Sequence, residues 1–407
     1  MIELVGYTSF DMRRRLLMST LKDLFILDPD VVFLNHGSFG ATPKPVFDVY
    51  QKWQLRLERQ PVEFLTVEFP ELDRWARQDL GEYLNADADD VVFVTNATTG
   101  INIVARSLEL RQGEEVLSTN HEYGACDNIW SFICEKTGAF YKRVPIPIPI
   151  KPQENVVDSL WDGVTDKTRV LFISHITSPT AQRMPVKEIA RRAKAAGLLT
   201  VIDGAHAPGQ IRVDLEDVGA DFYVGNLHKW AMSPKGAGFL YCRKEVQHMV
   251  EPLIVSWGWN ASPATTTGST YVDYLLWQGT RDPSASLSVP SAIEFQINND
   301  WQSVRVNCHE LLSEAIVRIN ELTGLPSLYS RDADFNQMAV VLLPKDINPK
   351  TLKQSFLDEF RIEVPIIEWE QEKLMRISIQ GYNSKSDIDT LENALRKLVP
   401  GARSRQG

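Results

Sequence analysis

The sequence predicts an α/β fold in which a mostly parallel central sheet is flanked by helices and followed by a smaller C-terminal α+β domain. Short β-rich runs recur between helical patterns. Several runs are apolar throughout, the pattern of strands covered on both faces by helices. Beyond about residue 284 the alternation stops, and a long helical pattern leads into further strands and helices. The expected divisions are an N-terminal arm over 1–30 that packs with the small domain, a large domain over 31–283, and the small domain over 284–407.

Taken in order, "DVVFVT" precedes a helix over 98–108, "EVLST" one over 123–136, "FYKRVPI" one over 154–163 and "RVLFIS" one over 185–196, while "LLTVID" runs into a loop. Alternating prolines in "IPIPIKP" (146–152) remove backbone donors, so this segment is expected to be a surface connector without chemistry. In the last part, "SASLSVPSAIEFQIN" and a helix over 301–322 lead to strands "MAVVLLP" and "LMRISIQ", with helices over 349–359 and 384–398. Disorder is expected only at the extreme N-terminus and in the tail "PGARSRQG".

The chain has 407 residues, 43% of them hydrophobic and 24% charged, which is a globular composition with length for one large domain and a smaller one. Its formal net charge of -10 disfavours nucleic-acid and anionic membrane partners and favours a small molecule. No apolar stretch approaches the roughly 20 residues of a membrane span, and the start lacks the order of a signal peptide, so a cytoplasmic protein is expected. Cys126, Cys134, Cys242 and Cys308 show no CxxC spacing and read as reduced, buried packing residues; no metal site is expected.

In open parallel sheets ligands sit beyond the carboxyl ends of the strands. After "DVVFVT" comes Asn96-Ala97-Thr98-Thr99-Gly100, small and hydroxyl residues that open a helix and suit a phosphate. After "LLTVI" comes Asp203, with His206 three residues on. After "DFYV" come Asn226, His228 and Lys229. Burial at such a strand end lowers a lysine's pKa and makes it a competent nucleophile. Lys235, in a Ser-Pro-Lys-Gly turn, is expected to face solvent. A phosphate cradle, an acid, a histidine and a nucleophilic lysine together suit pyridoxal 5'-phosphate held as a Schiff base, with its pyridinium nitrogen on the aspartate.

From "VVFLNHGSFGATP" through "NATTGIN", "VIDGAHAPGQIRVDLEDVGADFYVGNLHKW" and "WQGTRD" to "MRISIQGYNSKSDID", the chain resembles the class V aminotransferase family of fold type I, in its isopenicillin N epimerase-like and cysteine desulfurase-like branch. The resemblance implies the fold-type I transferase architecture, with the cofactor in the large domain. It implies that Lys229 carries the Schiff base, Asp203 pairs with the ring nitrogen and His206 lies near the phenolic oxygen. Thr98, Thr99, Asn226 and His228 match phosphate-binding positions. Tyr123, in "STNHEYGACDNIW", matches the ring stacked on the cofactor, with Glu122 and Trp130 keeping the family's spacing, so that His121 falls outside that register, as a supporting or surface residue. Ser178 and Gln182 match the cofactor's face. Gly279 and Thr280 match a segment that reaches the partner subunit's phosphate, which implies a homodimer with shared active sites. Arg281 stands beside them at the rim. Arg376 matches the grip on a substrate α-carboxylate, and Asn35 and His36 match the lining of the same pocket.

The implied chemistry is proton removal at Cα of an amino acid by the liberated lysine. A persulfide-forming desulfurase also needs a cysteine on a loop before the arginine, and no cysteine follows Cys308. The segments "FLNHGSFG", "EYGA", "HITSPTA" and "WQGTRD" look most like the isopenicillin N epimerase branch, so the resemblance makes epimerisation the leading expectation, C–S lyase chemistry or another class V reaction the alternative, and a non-catalytic binding protein the remaining one.

Overall fold

The computed structural model describes residues 21–149, 153–262 and 266–399. The first part of the expected arm, the end of the proline connector and the tail from 400 lie outside the described residues. Twelve strands occur in chain order: β1 Val32–Phe33, β2 Val91–Val94, β3 Glu115–Thr119, β4 Phe140–Val144, β5 Thr168–Ser174, β6 Leu199–Asp203, β7 Phe222–Asn226, β8 Gly238–Cys242, β9 Met338–Leu342, β10 Ile362–Glu363, β11 Ile366–Trp369 and β12 Glu372–Ser378. Seven form the central sheet in the order β2-β8-β7-β6-β5-β3-β4. The run from β7 to β4 is parallel, whereas β8 is antiparallel to both β7 and β2.

The inner parallel strands β5, β6 and β7 are largely apolar because each is covered on both faces. On β5, Leu171 and Ile173 face one cluster while Val170 and Phe172 face the other; on β7, Tyr223 faces the first, and Phe222 and Val224 the second. Two positions depart from the sequence reading. "GFLYC", which becomes β8, escapes the β-helix alternation because the short 227–237 connection holds no crossover helix and so returns the chain antiparallel. "FYKRVPI" becomes the edge strand β4, so most of its residues are exposed or half-buried rather than covered. Past it, Ile146 is buried while Pro145, Pro147 and Pro149 are exposed.

The expected helices occur as Ala97–Ser107, Gly124–Thr137, Gln153–Trp161, Val186–Ala195, Trp301–Thr323, Pro349–Phe360 and Lys385–Leu398. A third cluster is built on the antiparallel sheet β11-β12-β9 and the helices around it, and Phe25, with Leu21, Leu24 and Leu27, packs against it. Parallel pairing of β1 with β10 and the bond from Ser378 N to Leu34 O fasten segment 32–35 to the end of β12. The short helix His36–Phe39 starts from that anchor.

Candidate active site

The carboxyl ends of β5, β6 and β7 deliver Ser174, Asp203 and Asn226 to a cavity of about 450 Å³. Helix His36–Phe39 and β12 close it from the other side with Ser38 and Arg376. Lys229 lies within it, three residues past the end of β7.

Hydrogen bonding fixes the state of that lysine. Trp230 Nε1 can only donate, and it lies 3.3 Å from His206 Nδ1, which must accept. The neutral ring therefore carries its proton on Nε2, 3.1 Å from Lys229 Nζ, and the amine accepts it as a free base. Burial keeps His206 neutral by pushing its pKa well below the ordinary value, with the Lys229 charge next in importance. Burial, then the nearby Arg376 charge, lowers Lys229 to about 8, against a smaller opposing pull from Asp203. The hydrogen bonding selects the free amine, and the lowered pKa brings that form within reach near neutral pH, as a nucleophile or base requires.

Asp203 is buried, which raises its pKa; its Oδ1 accepts from Ala205 N at 2.8 Å and its Oδ2 from Cys126 Sγ at 3.5 Å. Beside it, Glu122 accepts from Ser174 N and Oγ and from Thr119 Oγ1, and burial lifts it to about 7.

The helix Ala97–Ser107 points its N-terminus at the same cavity, where Thr95, Asn96, Ala97 and Thr98 form part of the wall. Among its first amides, Ala97 N donates to Asn226 Oδ1, Thr99 N to Asn96 Oδ1 and Gly100 N to Asn96 O. The Thr98 amide finds no acceptor among the described residues, as a helix start awaiting an anion would leave it. His228 donates from Nδ1 to Ala237 O at 3.1 Å and also lines the cavity.

Arg376 is 5% exposed, yet its guanidinium meets only neutral oxygens: Ser178 O at 2.7 Å, Ser178 Oγ at 3.1 Å and Ser38 Oγ at 3.0 Å. Its Nε has no partner. A buried cation without a carboxylate is costly, and burial lowers its pKa to about 10. Ser38 is held in turn by Asn35 Oδ1, whose Nδ2 donates to Glu363.

The cavity brings together Lys229, Asp203, His206, Tyr123, Thr98, Ser178, Asn226, His228 and Arg376. Tyr123 is 48% exposed at the start of helix Gly124–Thr137. Other expected residues stand back from the wall. The Thr99 hydroxyl bonds to Thr95 and Asn96. Asn35 holds Ser38, and His36 is buried between Tyr382 Oη and Lys229 O. Gln182 is buried and donates to Arg183 O. Gly279 and Thr280 lie in a bend outside the cavity, as does Arg281. His121 is fully buried, bonded to Thr180 Oγ1 and Ile146 O and packed on Trp369, so it is no surface residue. Lys235 is exposed but also lines the cavity, donating to Gly40 O.

Sequence reasoning missed Ser38 and Cys126. Ser38 sits inside the quoted "FLNHGSFG" but meets Arg376 across 338 positions, which no local pattern reveals. Cys126 is buried as expected, but its contact with Asp203 makes it more than packing; its place one turn past Tyr123 on a helix was the available signal.

These residues fit a phosphorylated pyridine aldehyde: a free amine, a buried acid, a helix start with an unassigned amide and a buried arginine lacking an anion. A lysine-centred site at the strand ends of a mixed α/β sheet defines the class. The aminotransferase class-V model matches residues 33–391, and the chain belongs to that family. It is 33% identical over 383 residues to the isopenicillin N epimerase of Amycolatopsis lactamdurans, covering 91% of this chain and 96% of the relative. It is 28% identical over 415 residues to an L-cysteine desulfhydrase of Arabidopsis thaliana, covering 91% and 88%. Among solved structures, a cystine C–S lyase in complex with cysteine persulfide superposes with a TM-score of 0.80 at 21% identity, covering 91% of this chain and 99% of that one. A cysteine desulfurase from Escherichia coli gives 0.78 at 22%, covering 93% and 97%. At those identities the two structures speak for the fold.

Proposed function

We propose that this chain is a pyridoxal 5'-phosphate-dependent enzyme that inverts Cα of an amino acid, with isopenicillin N epimerase-like chemistry. The observation that carries it is the pairing of a free-base Lys229 with a buried, anion-less Arg376 in one cavity. Bound there, the cofactor supplies an electron sink that acidifies Cα. Arg376 orients the substrate carboxylate through its planar fork. Lys229 removes and returns the Cα proton on its own side. With the cofactor bound, Asp203 would stabilise positive charge on its ring nitrogen, His206 would serve its phenolic oxygen, and Thr98, Asn226 and His228, with Thr99 behind them, would hold its phosphate. Tyr123 would cover the ring, and it or a water beside it would serve the face opposite Lys229.

The relative named L-cysteine desulfhydrase favours a second reading, C–S lyase chemistry at a sulfur-bearing Cβ. A persulfide route on a cysteine is less well supported, since all four cysteines are buried and none follows Cys308. A homodimer, with Gly279 and Thr280 reaching the partner's site and Arg281 at its rim as a substrate contact, accords with their place outside the cavity of their own chain and with the exposed Ile254, Val255, Trp257 and Trp259. We place the enzyme in the cytoplasm; no helix among the described residues is long and apolar enough to cross a membrane.

Incubation with D- and L-amino acids and with cystine in deuterated water tests the reading. Cα deuteration with inversion is expected. Release of pyruvate or sulfide without inversion selects the lyase. Loss of the cofactor's visible absorption band in Lys229→Ala is expected, and its persistence without added amine would overturn the lysine's role.

A further inference from the structure

A second cleft, of about 580 Å³, runs along the helix Val186–Ala195 and shares no lining residue with the Lys229 cavity. Its acids are already engaged. Glu188 takes Arg191 and Arg192, Asp217 takes Lys187, and Asp214 accepts from Asn85 Nδ2 and Asp217 N. Lys187 and Arg191 are thereby paired, whereas Arg183, Arg212 and Lys194 also line the cleft and form no ion pair among the described residues. The helix start beside them is capped by no side chain, because Pro185 occupies that position. Of its first amides, Val186 N donates to Met184 O and Ile189 N to Pro185 O, which leaves those of Lys187 and Glu188 without an intrahelical acceptor.

An independent observation comes from the floor. His175 is 6% exposed and lines the cleft. Its Nδ1 is bonded to Tyr223 Oη at 2.8 Å, and its Nε2 has no partner among the described residues. A largely buried histidine with one unpartnered nitrogen, two arginines without ion pairs and an uncapped helix start border one opening, in a chain whose net charge is -10. That local excess of donors runs against the charge of the molecule as a whole.

We propose that this cleft binds the phosphate group of a small molecule, either inorganic phosphate or a phosphate monoester. Arginine forks and helix-start amides suit tetrahedral oxyanions. The volume suits a small molecule rather than a polymer. Through His175 N, which donates to Asp203 O at 2.7 Å, the floor adjoins the acid of the Lys229 cavity.

The test is calorimetric titration of the cofactor-loaded full chain with inorganic phosphate and, separately, with glycerol phosphate, at low salt. Saturable one-site binding below about 1 mM is expected, weakening as salt rises. Arg183→Gln and Arg212→Gln should each weaken it by at least about tenfold, while Arg376→Gln leaves it unchanged. Arg212 is exposed, so its variant folds; thermal melts with and without phosphate give the same comparison for both. Tighter binding of the ester identifies a phosphorylated metabolite as the ligand, and equal binding identifies the free anion. Absence of saturable heat, equal affinity in both variants, or a loss confined to Arg376→Gln would overturn the proposal.

Discussion

Arg376 states the logic of the site most compactly, because a buried guanidinium bonded only to serine oxygens is satisfied when a carboxylate arrives. Arg376→Gln removes a charge-assisted bidentate contact of about 1.5–3 kcal/mol. It is expected to lower kcat/KM by roughly 10- to 100-fold, mainly through KM, in steady-state assays of whichever amino acid the deuterium experiment selects. Tyr123→Phe separates the two faces of the reaction. Deuterium exchange at Cα should persist through Lys229, while inversion falls by roughly 100-fold or more. Equal losses of both would remove Tyr123 from the proton route. Lys229 and Asp203 were legible in the sequence because each ends or follows an apolar run and stands close in the chain to its neighbours in function. Ser38 and Cys126 were not, since their importance lies in contacts with residues 338 and 77 positions away.

Among the elements, the helix Ala97–Ser107 shows how the proposed phosphate cradle is aimed. It lies against β7 through Gly100, where a Cβ would stand 2.5 Å from Val224 Cγ1. Gly100→Ala is therefore expected to destabilise the protein by about 1–3 kcal/mol through overpacking. The double variant Gly100→Ala, Val224→Ala should recover part of that loss relative to the sum of the single changes, as read from urea midpoints. Strict additivity would show that the helix does not rest there. The helices were readable from their periodicity, and the parallel strands from their unbroken apolar runs. β8, β10 and β11 were hidden for a different reason: their identity depends on which strand they return to, not on their own composition.

At the scale of the whole molecule, burial of uncharged imidazoles sets the response to acid. His36 and His175 are lowered to about 3, and His121 and His228 to about 4, by burial above all; His206 is lowered as well. The unfolded chain binds these protons near pH 6.5 while the native one does not, so stability present above that pH is lost as pH falls. Glu122, raised to about 7, acts with the opposite sign and weakens the fold as pH rises from 4.5 towards 7. Buried Asp73 and Asp203 are raised as well and share that sign, so five histidines stand against three acids, and each net proton taken up on unfolding tilts stability by about 1.4 kcal/mol per pH unit. Denaturant midpoints should fall markedly from pH 7.5 to pH 5; unchanged midpoints would mean that these rings are not neutral in the native state. The α/β class and the C-terminal α+β texture were legible, because the change in pattern near 284 marks them. The union of the first strand with one of the last was not, because two-residue strands carry too little signal.

That union of Val32–Phe33 with Ile362–Glu363 also bears on how the protein is made. A ribosome synthesises the chain from its N-terminus, so Lys229 and Asp203 emerge long before Arg376 and before the strand that anchors Ser38. A nascent chain at that stage holds an amine beside an acid but no carboxylate grip. The site is completed only once residues 362–378 have been made and have paired with segment 32–35.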